Sequence, residues 1–215
     1  MLQDIETEAR YTRELIGREA FAPRVMQAMA EVPREKFVPP NMQGAAFENG
    51  PLPIGHGQTI SQPYIVALMT DLLEPAADHR ILEIGTGCGY QTAILSRLCA
   101  RVYTVEVVRE LGAAAAARLQ LLGYRNIEFL VGNGYAGWPD HAPYDGIIVT
   151  AAASHVPPAL VEQLEHGGRL VIPVGEPYGY QNLMLLEKDA QGVVSTRTIL
   201  GVAFVPLVEA GHDKT

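Results

Sequence analysis

Hydrophobic and polar positions along the 215-residue chain follow first a helical period and then a strand-helix alternation. Residues 8 to 31 carry apolar side chains at helical spacing through "LIGREAFAPRVMQAMAEV", with Pro23 as an interruption and Pro33 as a stop. The next stretch, "FVPPNMQGAAFENGPLPIGHGQ", has neither period and is rich in Pro and Gly, which predicts a long ordered loop rather than a regular element. Ile65, Leu68, Met69, Leu72 and Leu73 then recur at one face of a helix. Ser61 stands where it can cap that helix, which ends before Pro75. From residue 80, short apolar runs alternate with helices. "RILEIG", "RVYTVE", "NIEFLVG", "YDGIIVT" and "GRLVIPVG" read as strands, with helices over "YQTAILSRLC", "ELGAAAAARLQLLG" and "PPALVEQLE" and a stop at Gly123. After Gly175 three apolar runs, "QNLMLLEK", "VVSTRTIL" and "VAFVPL", follow without a helix and predict antiparallel strands at one edge.

Strands alternating with helices imply a parallel sheet covered on both faces, an α/β, doubly wound, Rossmann-like fold. One domain over residues 1–215 is expected: an N-terminal helical segment and loop (1–60), an α/β core (61–175), and C-terminal antiparallel strands with a tail (176–215). Composition narrows the partners. Sixteen basic against 24 acidic residues give a formal charge of -8, so a nucleic acid meets an unfavourable overall field. No apolar run is long enough to span a bilayer, and "MLQDIETEAR" lacks the basic start and apolar middle of a signal peptide, so a soluble, cytoplasmic protein is expected. Cys88 and Cys99 have neither CxxC spacing nor a His cluster, which leaves no metal site and two free thiols of a reducing compartment.

The strongest chemical signal is "LEIGTGCGYQTA", residues 82–93. Gly85, Gly87 and Gly89 follow a strand and open a helix, which lets backbone approach a ligand closely. The next strand ends at Glu106, where a carboxylate can accept hydrogen bonds from two ribose hydroxyls. The spacing is G-x-G-x-G, whereas a dinucleotide's pyrophosphate usually wants G-x-G-x-x-G. Glu83 reads either as a solvated or capped loop carboxylate or as a charge suited to a cationic ligand. With Glu106 and the glycine spacing, the cationic, phosphate-free methyl donor S-adenosyl-L-methionine fits better than a dinucleotide.

Several stretches together resemble the protein-L-isoaspartate O-methyltransferases in their bacterial form. They are "RVMQAMAEVPREKFVP", "PLPIGHGQTISQPYIVALMTDLLE", "ILEIGTGCGYQTAILSRL", "APYDGIIVTAAASHVPPALVEQLEHGGRLVIPVG" and "FVPL", spread over about residues 14–208. The resemblance implies S-adenosyl-L-methionine as donor, with S-adenosyl-L-homocysteine as product, and isoaspartyl-containing proteins and peptides as acceptors. It places Ser61 as the active-site residue and Thr59 and Ile60 at the junction of cofactor and acceptor. Glu83, Gly85, Gly87, Gly89, Glu106, Asn133 and Gly134 surround the cofactor. An acceptor carboxylate is already ionised at neutral pH, so no base is needed, and a hydroxyl that fixes its direction suffices. His56 therefore reads as a loop residue, and Tyr64 as packing.

Three positions depart from the family pattern. Asn133 stands in a Gly132-Asn133-Gly134 turn where Asp is usual and would accept a hydrogen bond from the adenine amino group through its amide oxygen. Cys88 replaces the more usual Ser, and Asn49 stands where many bacterial relatives have Asp. Rival readings lack their marks. No Asn/Asp-Pro-Pro-aromatic turn follows "VTAAASHVPP", and neither cysteine is placed as a cytosine-attacking nucleophile. A methyltransferase for another carboxylate or small molecule, a dehydrogenase and a non-enzymatic cofactor-binding module remain the alternatives. They separate by cofactor binding and by transfer to paired peptides.

Overall fold

The structure, a computed structural model, describes residues 1–208; the end of the expected C-terminal tail lies outside the described residues. Helix α1 (Leu2–Ile16) closes on Gly17, whose left-handed backbone donates its N–H to the Arg13 carbonyl. Helix α2 (Pro23–Glu31) begins with Pro at its first position. The expected single helical stretch is therefore two helices, broken at Gly17 rather than at Pro23, which starts the second because its missing N–H costs nothing there. The expected loop also holds more structure than its composition implies. Two 3-10 turns (Arg34–Lys36 and Pro40–Ala45) lead to a small hairpin of β1 (Leu52–Gly55) and β2 (Gln58–Ile60). Helix α3 (Pro63–Leu73) follows directly.

The core alternates as expected: β3 (Arg80–Ile84), α4 (Tyr90–Ser96), β4 (Arg101–Glu106), α5 (Arg109–Leu121), β5 (Ile127–Val131), β6 (Tyr144–Val149), α6 (Pro158–Glu162) and β7 (Leu164–Gly175). Strand β7 starts earlier and α6 stops earlier than the sequence implies, since Leu164 already pairs with Tyr144. Strands β8 (Gln181–Lys188) and β9 (Val194–Val202) complete the sheet. The third expected edge strand is not formed. Beyond Val202 the chain leaves the ladder and touches the sheet again through a single bridge, Pro206 to Ala152.

The seven strands lie in the order β5-β4-β3-β6-β7-β8-β9, parallel through β7 and antiparallel beyond it. Strand order reverses between β3 and β6, so their carboxyl ends diverge and open a crevice there. Period-two alternation sorts the core. Ile81, Ile148 and Val171 join the cluster that holds α1 to α4, whereas Leu82, Ile84, Ile147, Val149 and Leu170 face the other side with Leu160 of α6. Both faces are thus covered, and only the carboxyl edge remains for chemistry.

The N-terminal segment is fastened onto α3 by polar contacts at its base. The buried Asp71 carboxylate accepts from the Ala22 backbone N–H at 2.7 Å and pairs with Arg18. Thr12 and Tyr64 share a hydroxyl hydrogen bond of 2.6 Å. Replacing Asp71 by Ala leaves the Ala22 N–H and one guanidinium without their acceptor. Asp71→Ala is expected to cost about 2–3 kcal/mol and to lower Tm by about 5–10 °C, read by urea and thermal unfolding.

Candidate functional site

The crevice between β3 and β6 is built from strand ends. Gly85 donates its N–H to the Val105 carbonyl at 2.8 Å, and Thr150 closes the other side by donating its N–H to Ile84 and its hydroxyl to Gly85 O at 2.7 Å. Glu106 is the linchpin. One carboxylate oxygen accepts from the Gly87 N–H at 2.8 Å and the other from the Val108 N–H at 3.0 Å. Helix α5 passes close over this carboxylate at Gly112, where an added Cβ would lie in contact with the Glu106 Cβ at 3.4 Å. At Gly134 a Cβ would be driven to 2.5 Å from Ile84 Cγ2, so only glycine lets that turn close against the sheet.

These ends line a cavity with Thr59, Ile60, Ser61, Gly85, Gly87, Glu106 and Gly134 around it, and the chain from Val205 to Val208 crosses its mouth. That crossing is held by Ala152, which donates to Val205 O and accepts from Leu207 N, both at 2.8 Å. Glu106 is the sole charged residue among the described lining residues, with no Lys or Arg to meet a phosphate. A second cavity of about 470 Å³ adjoins the first and shares Thr59, Ser61, Thr150 and Val205 with it. No charged side chain lines this groove among the described residues.

Three of the expected site residues are placed otherwise. Glu83 lies within β3 and is fully buried, on the Ile81 side of the sheet. One of its oxygens accepts from the Thr92 and Thr104 hydroxyls at 2.5 and 2.6 Å; the other has no partner. It does not line the cavity. Burial, opposed by the two threonines and reinforced by Glu106, pushes its carboxyl up to about 8, so it is neutral at pH 7 and supplies no fixed charge to a cation. Strand alternation was the available signal, since it sets Glu83 on the same face as Ile81. Gly89 is also outside the lining; its positive φ of 87° starts α4, and a Cβ there would meet Leu119 Cδ1 at 2.8 Å. Its role is the close packing of α4 against α5. The side chain of Asn133 accepts from the Tyr135 N–H at 3.0 Å, so its amide oxygen builds the turn, and Gly134 rather than Asn133 lines the cavity.

Ser61 does not cap α3. Gln62 occupies the cap position without a side-chain bond, and the Tyr64 N–H is met by Asn49 Oδ1 at 3.3 Å. The Ser61 hydroxyl has no partner among the described residues, while its carbonyl accepts from Arg34 Nη2 at 2.8 Å. Asn49 also donates to Glu8 at 2.7 Å, a bond that an Asp there would replace by two carboxylates in contact. His56 sits at the tip of the β1-β2 turn with φ 53° and lines neither cavity.

Residues missed in the sequence lie mostly far from the glycine loop in chain position. Arg34 is fully buried, donating to Ala46 O and Ser61 O at 2.8 Å each, with its guanidinium 4.8 Å from the Tyr90 ring centroid. In the sequence it stands unmarked within "RVMQAMAEVPREKFVP", and only the fold turns it inward. Thr150 and Gln181 read only as the ends of predicted strands, with no sign of the contacts they make. Cys88 lies beside the cavity with its thiol pushed up to about 11 by burial, which makes it inert.

Fold and cavities define the class. A doubly wound sheet with a pocket at its switch point, lined by a glycine loop and the carboxylate of Glu106, and with an open groove beside it, is the arrangement of the S-adenosyl-L-methionine-dependent methyltransferases. The chain belongs to the protein-L-isoaspartate(D-aspartate) O-methyltransferase family, whose profile matches residues 11–212. It is 57% identical to protein-L-isoaspartate O-methyltransferase 2 of Syntrophobacter fumaroxidans over 99% of this chain and 85% of that one. A solved protein-L-isoaspartate O-methyltransferase superposes with TM-score 0.81 and 28% identity, covering 96% of this chain and 65% of that one. A Plasmodium falciparum structure in complex with S-adenosyl-L-homocysteine shares the fold, with TM-score 0.77, 24% identity and 96% and 97% coverage.

Two outcomes follow from these placements. The folded-state value of Glu83 is raised above the unfolded one, so this residue costs stability increasingly as pH rises from about 4.5 to about 8. Glu83→Gln is expected to remove that slope, gaining on the natural protein by a few kcal/mol between pH 5 and pH 8 in urea unfolding. Asn133→Asp keeps an acceptor for the Tyr135 N–H and should leave S-adenosyl-L-homocysteine affinity, measured by calorimetry, within about twofold.

Proposed function

We infer that this chain transfers a methyl group from S-adenosyl-L-methionine to the free carboxylate of L-isoaspartyl residues in damaged proteins and peptides. One observation carries the reading. A pocket whose charged lining among the described residues is the single carboxylate of Glu106 meets, at Ser61 and Thr59, an open groove with no charged lining residue among them. S-adenosyl-L-methionine supplies, when bound, an electrophilic methyl on a cationic sulfur. Glu106 has lone pairs left for ribose hydroxyls beyond those that hold Gly87 and Val108, and the Gly85 to Gly87 backbone gives close approach. The G-x-G-x-G spacing of the loop, in place of the G-x-G-x-x-G that a pyrophosphate usually wants, and the family match fit a phosphate-free nucleoside better than a dinucleotide.

The acceptor needs no base, because a carboxyl group of ordinary pKa is ionised at neutral pH. Ser61 donates its unpaired hydroxyl to the acceptor carboxylate and fixes its direction, while Arg34 holds the Ser61 backbone in place. Thr59 and Ile60 shape the junction of donor and acceptor. The chain's remaining task is alignment and exclusion of water, which Val205 serves by lining both cavities. The resulting ester is opened by the neighbouring backbone nitrogen, which displaces methanol and gives a succinimide. Uncatalysed hydrolysis of that ring returns part of the material to ordinary aspartate.

Isoaspartyl-containing proteins and peptides are therefore the partners, and the formal charge of -8 argues against nucleic acid. No helix among the described residues is long and apolar enough to cross a membrane. A cytoplasmic setting accords with Cys88 and Cys99, which are buried free thiols.

Transfer of labelled methyl should occur to an L-isoaspartyl peptide and not to the same peptide with ordinary aspartate; equal labelling of both, or of neither, overturns this reading. Ser61→Ala is expected to lower turnover by about 10- to 100-fold, the value of a hydrogen bond to a charged group, with S-adenosyl-L-homocysteine affinity and Tm nearly unchanged. Ser61→Thr should retain partial activity and His56→Ala nearly full activity. A fully active Ser61→Ala protein would remove the hydroxyl from the reaction.

A further inference from the structure

The outer wall of the acceptor groove carries an aromatic ring, Tyr180, with a carboxylate, Glu176, just behind it and outside the lining. Residues 176–180 join β7 to β8 and are exposed throughout, Tyr178 to 76% and Tyr180 to 77% of their surface. Tyr180 lines the groove, and its ring lies across Gly201 of β9. A Cβ built at Gly201 would stand 3.9 Å from the ring's Cε2 and 4.0 Å from its hydroxyl. The ring thus lies at contact distance over the β9 backbone on that side, and most of its surface remains open to solvent. Glu176 belongs to the same lip: a Cβ built at Gly179 would lie 3.5 Å from its Oε2.

This lip is held rather than loose. Gln181, fully buried, reaches across to Phe204, accepting from its N–H at 2.6 Å and donating to its carbonyl at 3.0 Å. One side chain thus replaces a strand partner and fastens the base of the lip to the segment that lines the groove's other wall. No charged side chain lines the groove among the described residues; the charges nearest it are Glu176 at the lip, Glu8 behind Gln62 and Arg34 behind Ser61, and the net charge of -8 adds a long-range preference for cations.

We propose that Tyr180 and Glu176 form a subsite for a Lys or Arg side chain flanking the isoaspartyl residue, so that this enzyme prefers isoaspartyl sites with basic neighbours. The inference rests on the isoaspartyl reading above. A cationic head can lie on the open face of Tyr180 with Glu176 near it, whereas an acidic neighbour meets the same carboxylate repulsively. The acceptor carboxylate itself sits by Ser61, on the uncharged floor.

The test uses the whole protein and three isoaspartyl peptides that differ only in the flanking residues, which are Lys, Ala or Glu. For the natural protein kcat/KM should be about three- to fivefold higher with Lys than with Ala, and lower with Glu than with Ala. Tyr180→Ala should bring the Lys-to-Ala ratio to about one, Tyr180→Phe should keep it, and Glu176→Gln should reduce the Lys-to-Glu ratio. Each ratio is internal to one variant, so a change in overall rate or folding does not imitate it. A Lys-to-Ala ratio near one in the natural protein, or an undiminished ratio in Tyr180→Ala, overturns the subsite while leaving the methyltransferase reading intact. No transfer to any of the three peptides overturns both.

Discussion

The carboxylate of Glu106 joins the end of β4 to the loop after β3, and the site is arranged around that tie. A glycine loop with positive φ at three positions has little intrinsic reason to hold one shape. The Gly87 N–H finds its acceptor on the neighbouring strand, so the loop's geometry is inherited from the parallel pairing of β3 with β4. Val108 is fixed by the same carboxylate, which also sets where α5 begins. The carboxylate that the proposed reading assigns to the ribose is therefore held before any ligand arrives, and the ordering cost is met by folding rather than by binding.

Charge is distributed so that the two cavities ask for different ligands. Glu83 is buried and neutral, Glu106 is the one charged residue lining the cofactor pocket among the described residues, and the acceptor groove is lined there by hydroxyls, amides, backbone and apolar groups. For a carboxylate nucleophile this neutrality is useful. A close cation would hold the ion in its ground state, whereas a single hydroxyl, the role proposed for Ser61, would orient it at less cost to its reactivity. Arg34 is buried near the same loop, yet it spends its hydrogen bonds on the Ala46 and Ser61 carbonyls, positioning backbone.

Three polar side chains make the assembly cohere across long stretches of chain. Asn49 connects Glu8 of α1 to the first turn of α3, Arg34 connects a 3-10 turn to Ser61, and Gln181 connects the β7-β8 lip to Phe204. Each satisfies buried backbone or carboxylate groups that would otherwise be lost to solvent competition. Their common effect is to bring the N-terminal segment, the sheet edge and the C-terminal crossing to one place beside the switch point.

Local periodicity was enough for the doubly wound sheet, the glycine loop, the position of Glu106 and the edge strands β8 and β9, because strand alternation and helix spacing are short-range properties. The stretches around Ser61 and "APYD" were distinctive enough to indicate the family. What the sequence left undetermined depends on partners far away along the chain. Ser61 looked like a cap, but Asn49, fifteen residues before Tyr64, meets the exposed N–H instead. Glu83 looked like a loop charge; its direction followed from alternation, and its neutrality from burial under α4 beside Thr92 and Thr104. Arg34 and Gln181 carry no local sign of the contacts they make, since the carbonyls and N–H groups they satisfy are brought to them only when the sheet and its N-terminal cover have packed. Dihedral preference and periodicity act between near neighbours and are legible in one dimension, whereas burial and hydrogen-bond partnership are decided by which distant segments share a surface.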